Sequence, residues 1–99
     1  FSKNVIYQIN CNICNKIYIG QTCRTIKSHI SEHTKVTNSA VHIHFTTFHP
    51  THNIDFTWKI LHNNIANNNK REILESIYIS KVNIHSLMNN CKGRDLHHI

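Results

Sequence analysis

Ninety-nine residues, 39% of them hydrophobic, suffice for one domain spanning 1–99, with a core modest enough to profit from an added staple. Eleven lysines and arginines against five acids give a net charge of +6 at pH 7 and a pI near 9.4, a balance that favours polyanions through phosphate neutralisation and counterion release. No apolar run approaches the roughly 18 residues of a membrane span and no signal peptide is visible, so no membrane partner is expected. The chain opens at Phe1 rather than methionine, which points to a piece of a longer protein.

Asn4 to Asn10 reads as a short strand with polar ends, and Lys16 to Gly20 as a second, joined by a turn over Cys11 to Asn15. Thr22 is a candidate helix cap, after which Ile26, His29, Ile30 and His33 fall on one helical face. Ser39 is a second candidate cap, ahead of Ala40, Val41 and Ile43, and Pro50 stops that segment. Ile54 to Leu61 alternates as a strand through Ile54, Phe56, Trp58 and Ile60. Asn63 to Asn69 is a polar loop, with Asn69 placed to cap a helix over Lys70 to Lys81 whose apolar stripe is Ile73, Leu74, Ile77 and Tyr78. Beyond Asn83 no period emerges. The order ββαα-β-α predicts an α+β fold, a small three-stranded antiparallel sheet flanked by helices.

Cys11 and Cys14 form a C-x2-C pair, a usual half-site for tetrahedral Zn2+ on a turn. Four of the ten histidines crowd together downstream: His42, His44, His49 and His52. Spacing alone favours His44 with His49, inside the common H-x3–5-H window. Two disulfides in a secreted domain are the competing use of four cysteines, but the pair with its histidines reads better as metal binding in a reducing compartment. Cys23 and Cys91 are then left as free thiols. Structural zinc would contribute on the order of 10 kcal/mol to folding.

Two strands carrying Val5-Ile6-Tyr7 and Tyr18-Ile19-Gly20 bring two phenols together on a hairpin. Together with the segments downstream of it, this hairpin resembles the GIY-YIG nuclease domain, and the inserted cysteine pair resembles the version attached to Penelope-like retroelement reverse transcriptases. The likeness runs from Tyr7 to about Gly93. Gly20-Gln21-Thr22 with Arg24 looks like the turn into the family's first helix, His33 matches the histidine at its end, and Arg71-Glu72-Ile73-Leu74-Glu75 looks like the segment ending in the metal-binding glutamate. Asn89 matches an asparagine near the family's C-terminal end. A histidine directly before a segment like Asn53-Ile54-Asp55-Phe56 selects His52, so the resemblance implies Cys11, Cys14, His44 and His52 as zinc ligands, with His49 the alternative.

The implied activity is DNA strand nicking that serves target-primed reverse transcription, with a fused reverse transcriptase as partner and the nucleus as the place of action. By resemblance, Tyr7 orients or deprotonates water, Tyr18 hydrogen-bonds within the site, and Glu75 binds Mg2+ or Mn2+. The chemistry also asks for a cationic donor to the developing phosphate charge. The acids are only Glu32, Asp55, Glu72, Glu75 and Asp95, so the metal-binding carboxylate is one of five. The pattern breaks at position 29, where the family's helix arginine is His29, and a neutral imidazole cannot reproduce a bidentate guanidinium contact. Arg24 and Lys27 are the neighbouring cations for DNA.

Overall fold

The first strand, β1 (Val5–Cys11), holds the middle of the sheet. Alternation sends Val5, Tyr7, Ile9 and Cys11 to one face, where all four are fully buried, and sends Ile6, Gln8 and Asn10 to the other. The computed structural model describes residues 2–88. Within it β2 (Ile17–Thr22) and β3 (Phe56–His62) both run antiparallel to β1, in the order β2-β1-β3. Tyr7 stands opposite Gly20 and Ile9 opposite Tyr18, so the two tyrosines are diagonal neighbours on one face. Against β3 the register slips between Ile6 and Tyr7, which pair with His62 and Ile60, leaving one extra residue on β3 as a bulge. The β1–β2 hairpin closes with Asn15 at φ 67°, a left-handed position that asparagine tolerates.

The expected α+β architecture holds: helices cover both faces of a three-stranded antiparallel sheet. On the Tyr7 face lie α1 (Ile26–Lys35) and α2 (Ala40–Phe48), whose Ile26, Ile30, Val41 and Phe45 complete the core with the four β1 side chains. Ser39 caps α2 as its sequence position suggests, its hydroxyl accepting from the Val41 amide. The α1 cap is Thr25, not Thr22; Thr22 ends β2, and its side chain accepts from the Arg24 amide at 3.1 Å.

Helix α3 (Asn68–Ser80) meets the opposite face, capped by Asn67 rather than Asn69. Its inward stripe is also displaced. Ile73 and Ile77 are 61% and 44% exposed, whereas Arg71 is 3% exposed and Leu74, Glu75 and Tyr78 are half-buried. The helix is turned by Arg71, whose guanidinium and Nε donate to Gln21 Oε1 on β2, the Ile65 carbonyl, Asn4 Oδ1 and Asn68 Oδ1. These acceptors are all neutral. A charged fork with several fixed acceptors outweighs two isoleucines left at the surface, and the rotation swings Glu75, one turn on, toward the sheet. A 3-10 turn (Ile84–Ser86) then carries Leu87 and Met88 into burial, Leu87 bridging Ile17.

Arg71→Ala should therefore destabilise the fold by about 2 kcal/mol, because it empties the space of a buried side chain and removes its hydrogen bonds to four acceptors. Ile77→Ala, on the same helix but exposed, should change stability by less than about 0.5 kcal/mol. Urea unfolding of the two variants checks the inverted order.

Candidate functional site

Two constellations lie on the Tyr7 face, one around each end of the buried row of β1. At the first, Tyr7 is 0% exposed and its hydroxyl sits 2.8 Å from His33 Nε2. His33 projects from the last turn of α1, is itself buried, and turns its other nitrogen to Ser39 Oγ at 2.7 Å. Tyr18 packs its ring 6.1 Å from that of Tyr7 and 5.1 Å from that of His33, and His29 stands 5.5 Å from Tyr7 and 5.1 Å from His33. Gly20 makes this convergence possible. A Cβ there would come within 2.5 Å of the Tyr7 hydroxyl and 2.8 Å of the Tyr18 ring.

Burial sets the charge states of this cluster. It holds the Tyr7 phenol well above its ordinary pKa, with Tyr18 and then Glu75 adding to the rise, and pushes Tyr18 up to about 12, with Glu75 again contributing. His33 falls to about 3 through burial and the neighbouring His29, so it is a neutral acceptor or donor at physiological pH. His29 is lowered as well, by burial against the opposing pull of Glu32, and so is not the missing cation. The nearest guanidinium is Arg24, 3.3 Å from His29 Nδ1 and paired with Glu32. Glu32 also lies 3.6 Å from His29, and Arg24 holds its carboxyl below the usual range. Lys27 is exposed on α1. Glu75 joins from α3 with its carboxyl raised to about 7 by burial and then by Glu72.

Five of the residues singled out from the sequence are thus gathered: Tyr7, Tyr18, His29 and His33 by contact, and Glu75 by its electrostatic reach to both phenols. Asn89 and Cys91 lie outside the described residues. The resemblance puts Tyr7 at the water, but Tyr7 is completely covered, whereas Tyr18 keeps part of its surface exposed. Ser39, which sequence reading treats only as a helix cap, is part of the cluster. The signal for it was available in the six-residue step from His33, which spans the end of one helix and the start of the next.

At the other end of β1 the donor atoms of Cys11, Cys14, His44 and His49 all lie within 4.8 Å of one another. Cys11 ends the strand and Cys14 comes next in the hairpin turn, where the Ile13 amide points at Cys11 Sγ from 3.4 Å. Burial pushes the Cys11 thiol up, and the amides of Cys14 and Ile13 oppose it by favouring the thiolate. His44 Nε2 is 3.3 Å from Cys14 Sγ, close to the ~3.5 Å edge of a tetrahedron with metal–sulfur and metal–nitrogen bonds of about 2.3 and 2.0 Å. His49 Nε2 is buried with no hydrogen-bond partner among the described residues, as is His44 Nδ1. A buried ring nitrogen without a partner is costly unless a ligand satisfies it, which a metal would do for His49 Nε2 but not for His44 Nδ1 when His44 binds through Nε2. Two thiols with two imidazoles suit a soft-to-borderline divalent metal.

Of the two alternatives for the fourth position, His52 and His49, this set contains His49. His49 is the C-cap of α2, tied by its amide to the Phe45 carbonyl, so it stays on the helix that carries His44. His52 lies beyond Pro50 in an exposed turn, its ring 6.0 Å from that of His49. Cys23 is a free, exposed thiol.

Two measurements check these sites. Cobalt(II) titrated as a spectroscopic stand-in should give thiolate-to-metal charge-transfer bands that vanish in Cys11→Ser, weaken strongly in His49→Ala and persist in His52→Ala. For Glu75, the unfolded chain loses its proton near pH 4.5 while the folded chain keeps it to about 7, so ionisation weakens the fold as pH rises through that window. The stability of the unmodified chain minus that of Glu75→Gln should fall between those pH values and level above them.

No family model, curated protein or solved structure matches the chain.

Proposed function

We propose that this chain is a metal-dependent DNA endonuclease domain of the GIY-YIG type, of the zinc-containing kind attached to Penelope-like retroelement reverse transcriptases. The observation that carries the reading is the convergence of Tyr7, Tyr18, His29 and His33 from β1, β2 and α1, with the two phenols meeting over Gly20 and Glu75 of α3 near enough to raise the pKa of both. The basic charge supplies affinity for DNA, and the fused reverse transcriptase, working in the nucleus, primes from the nicked strand.

Tyr18 orients the attacking water, being the less covered of the two tyrosines. Tyr7 and His33 stand behind it, and since burial disfavours charge on either, they act as neutral hydrogen-bonding groups. Glu75 holds Mg2+ or Mn2+, which when bound supplies a Lewis acid for the scissile phosphate. The residues fit that ion: Glu75 and Glu72 repel one another, and a cation relieves the repulsion. One carboxylate with water and phosphate oxygens is a usual magnesium set. Arg24, steered by Glu32 beside His29, brings positive charge toward the phosphate in the absence of an arginine at position 29. The Cys11, Cys14, His44 and His49 set holds Zn2+ as a structural staple, all four positions being protein ligands.

A supercoiled-plasmid assay with Mg2+ or Mn2+ tests the activity. The zinc-loaded chain should nick; Glu75→Ala should lose at least about 100-fold in rate while still binding DNA, and His29→Arg should gain on the order of 10²-fold. If neither the unmodified chain nor His29→Arg nicks, although both fold and bind DNA, the domain is a zinc-stabilised nucleic-acid-binding module.

A further inference from the structure

Ser39 touches two things at once, and only one of them is explained by capping. Its oxygen accepts from the Val41 amide at 3.2 Å, which satisfies the start of α2, and it also stands 2.7 Å from His33 Nδ1. A serine hydroxyl has a single proton to donate. Among the described residues that proton has no acceptor besides His33 Nδ1. Were His33 to donate from Nδ1 instead, Ser39 would accept twice and its own proton would have only solvent to turn to in a half-buried position. The arrangement that satisfies every group within the protein has Ser39 donating to a bare Nδ1. A neutral imidazole then carries its one proton on Nε2, 2.8 Å from the Tyr7 oxygen.

We propose that Ser39 is a positioning residue for the tyrosine pair: it fixes His33 as the Nε2–H tautomer, so that hydrogen bonds run one way, from Ser39 to His33 to Tyr7 to Tyr18. Tyr7 receives a proton donor from His33, and its own hydroxyl proton is turned toward Tyr18, to which its side chain is hydrogen-bonded. The Tyr18 oxygen accepts from the Tyr7 hydroxyl, so the Tyr18 proton points outward and is free to hold the attacking water or a phosphate oxygen, with no proton passed along the row. With the opposite tautomer the Tyr7 proton would point at His33, and Tyr18 would face a lone pair. The catalytic consequence rests on the nuclease reading above; the tautomer does not.

The test is therefore split. In ¹⁵N spectra of the zinc-loaded chain with labelled histidine, the His33 ring should show a protonated Nε2 and an unprotonated Nδ1. Ser39→Gly deletes the hydroxyl but leaves a residue tolerated at the cap, so the helix survives. It should move the His33 signals toward the other tautomer or an average of the two, and Ser39→Thr should restore the original pattern. Plasmid nicking by Ser39→Gly should show kcat reduced about tenfold with KM unchanged, and recovery in Ser39→Thr. A proton found on Nδ1 in the unmodified chain, or His33 signals indifferent to Ser39→Gly, overturns the proposal. If Ser39→Gly does not fold, the spectrum of the unmodified chain still decides the tautomer. The expected tautomer in a chain that never nicks leaves Ser39 as assigned and defeats the nuclease reading instead.

Discussion

The constraint on which the rest depends is the two-residue period of β1. It commits Val5, Tyr7, Ile9 and Cys11 to the same dry face, so that a phenol and a thiol alternate with two apolar side chains and stand on either side of Ile9. A slip of one residue would bury Ile6, Gln8 and Asn10 in their place and dissolve both constellations together. The apolar pair Val5 and Ile9 holds the register that the two polar side chains need, and the bulge on β3 lets the third strand run alongside without disturbing it.

A small core leaves little margin for buried polar groups, and this chain has several. Those around Tyr7 and Arg71 are paired with neutral partners rather than opposite charges. Tyr7 meets His33, His33 meets Ser39, and Arg71 is spread over carbonyl and amide oxygens. Such pairing avoids the large desolvation cost of a buried ion pair and keeps the cluster uncharged over the physiological range. Glu75 is the exception. Drawn inward by the rotation that Arg71 imposes, it has that arginine alone to offset its burial and the repulsion of Glu72 among the described residues, and its carboxyl is accordingly the least comfortable group of the domain. The exposed face of α3, with Ile73 and Ile77, is the other side of the same compromise.

Local signals were legible wherever one element sufficed to decide them. The two hairpin strands, the cap at Ser39, the stop before Pro50 and the thiol pair on the turn come from alternation, capping chemistry and spacing within about ten residues. What escaped was anything decided between elements. The stripe of α3 read as Ile73, Leu74, Ile77 and Tyr78 because those are the apolar positions, yet the helix is oriented by Arg71 through Gln21, fifty residues earlier. His49 outranks His52 because the last hydrogen bond of α2 reaches its C-cap residue and keeps that imidazole in line with His44, a detail that spacing rules admit but resemblance overrode. The covering of Tyr7 needed three elements, β2, α1 and the start of α2, to be placed at once.

Helix α2 begins at a serine tied to one constellation and carries, at its middle and at its C-cap, the two imidazoles belonging to the other. From Ser39 to His49 is ten residues, so the helix acts as a rigid ruler of ~15 Å, and each residue also sets an angular step of ~100°. Adding or removing a single position would therefore displace and rotate one set of ligands against the other by more than any side chain can absorb. The loops at 50–55 and 63–67 carry no such double obligation. Variation in length among descendants of this chain belongs in those loops, and α2 should keep its residue count even where its surface letters drift.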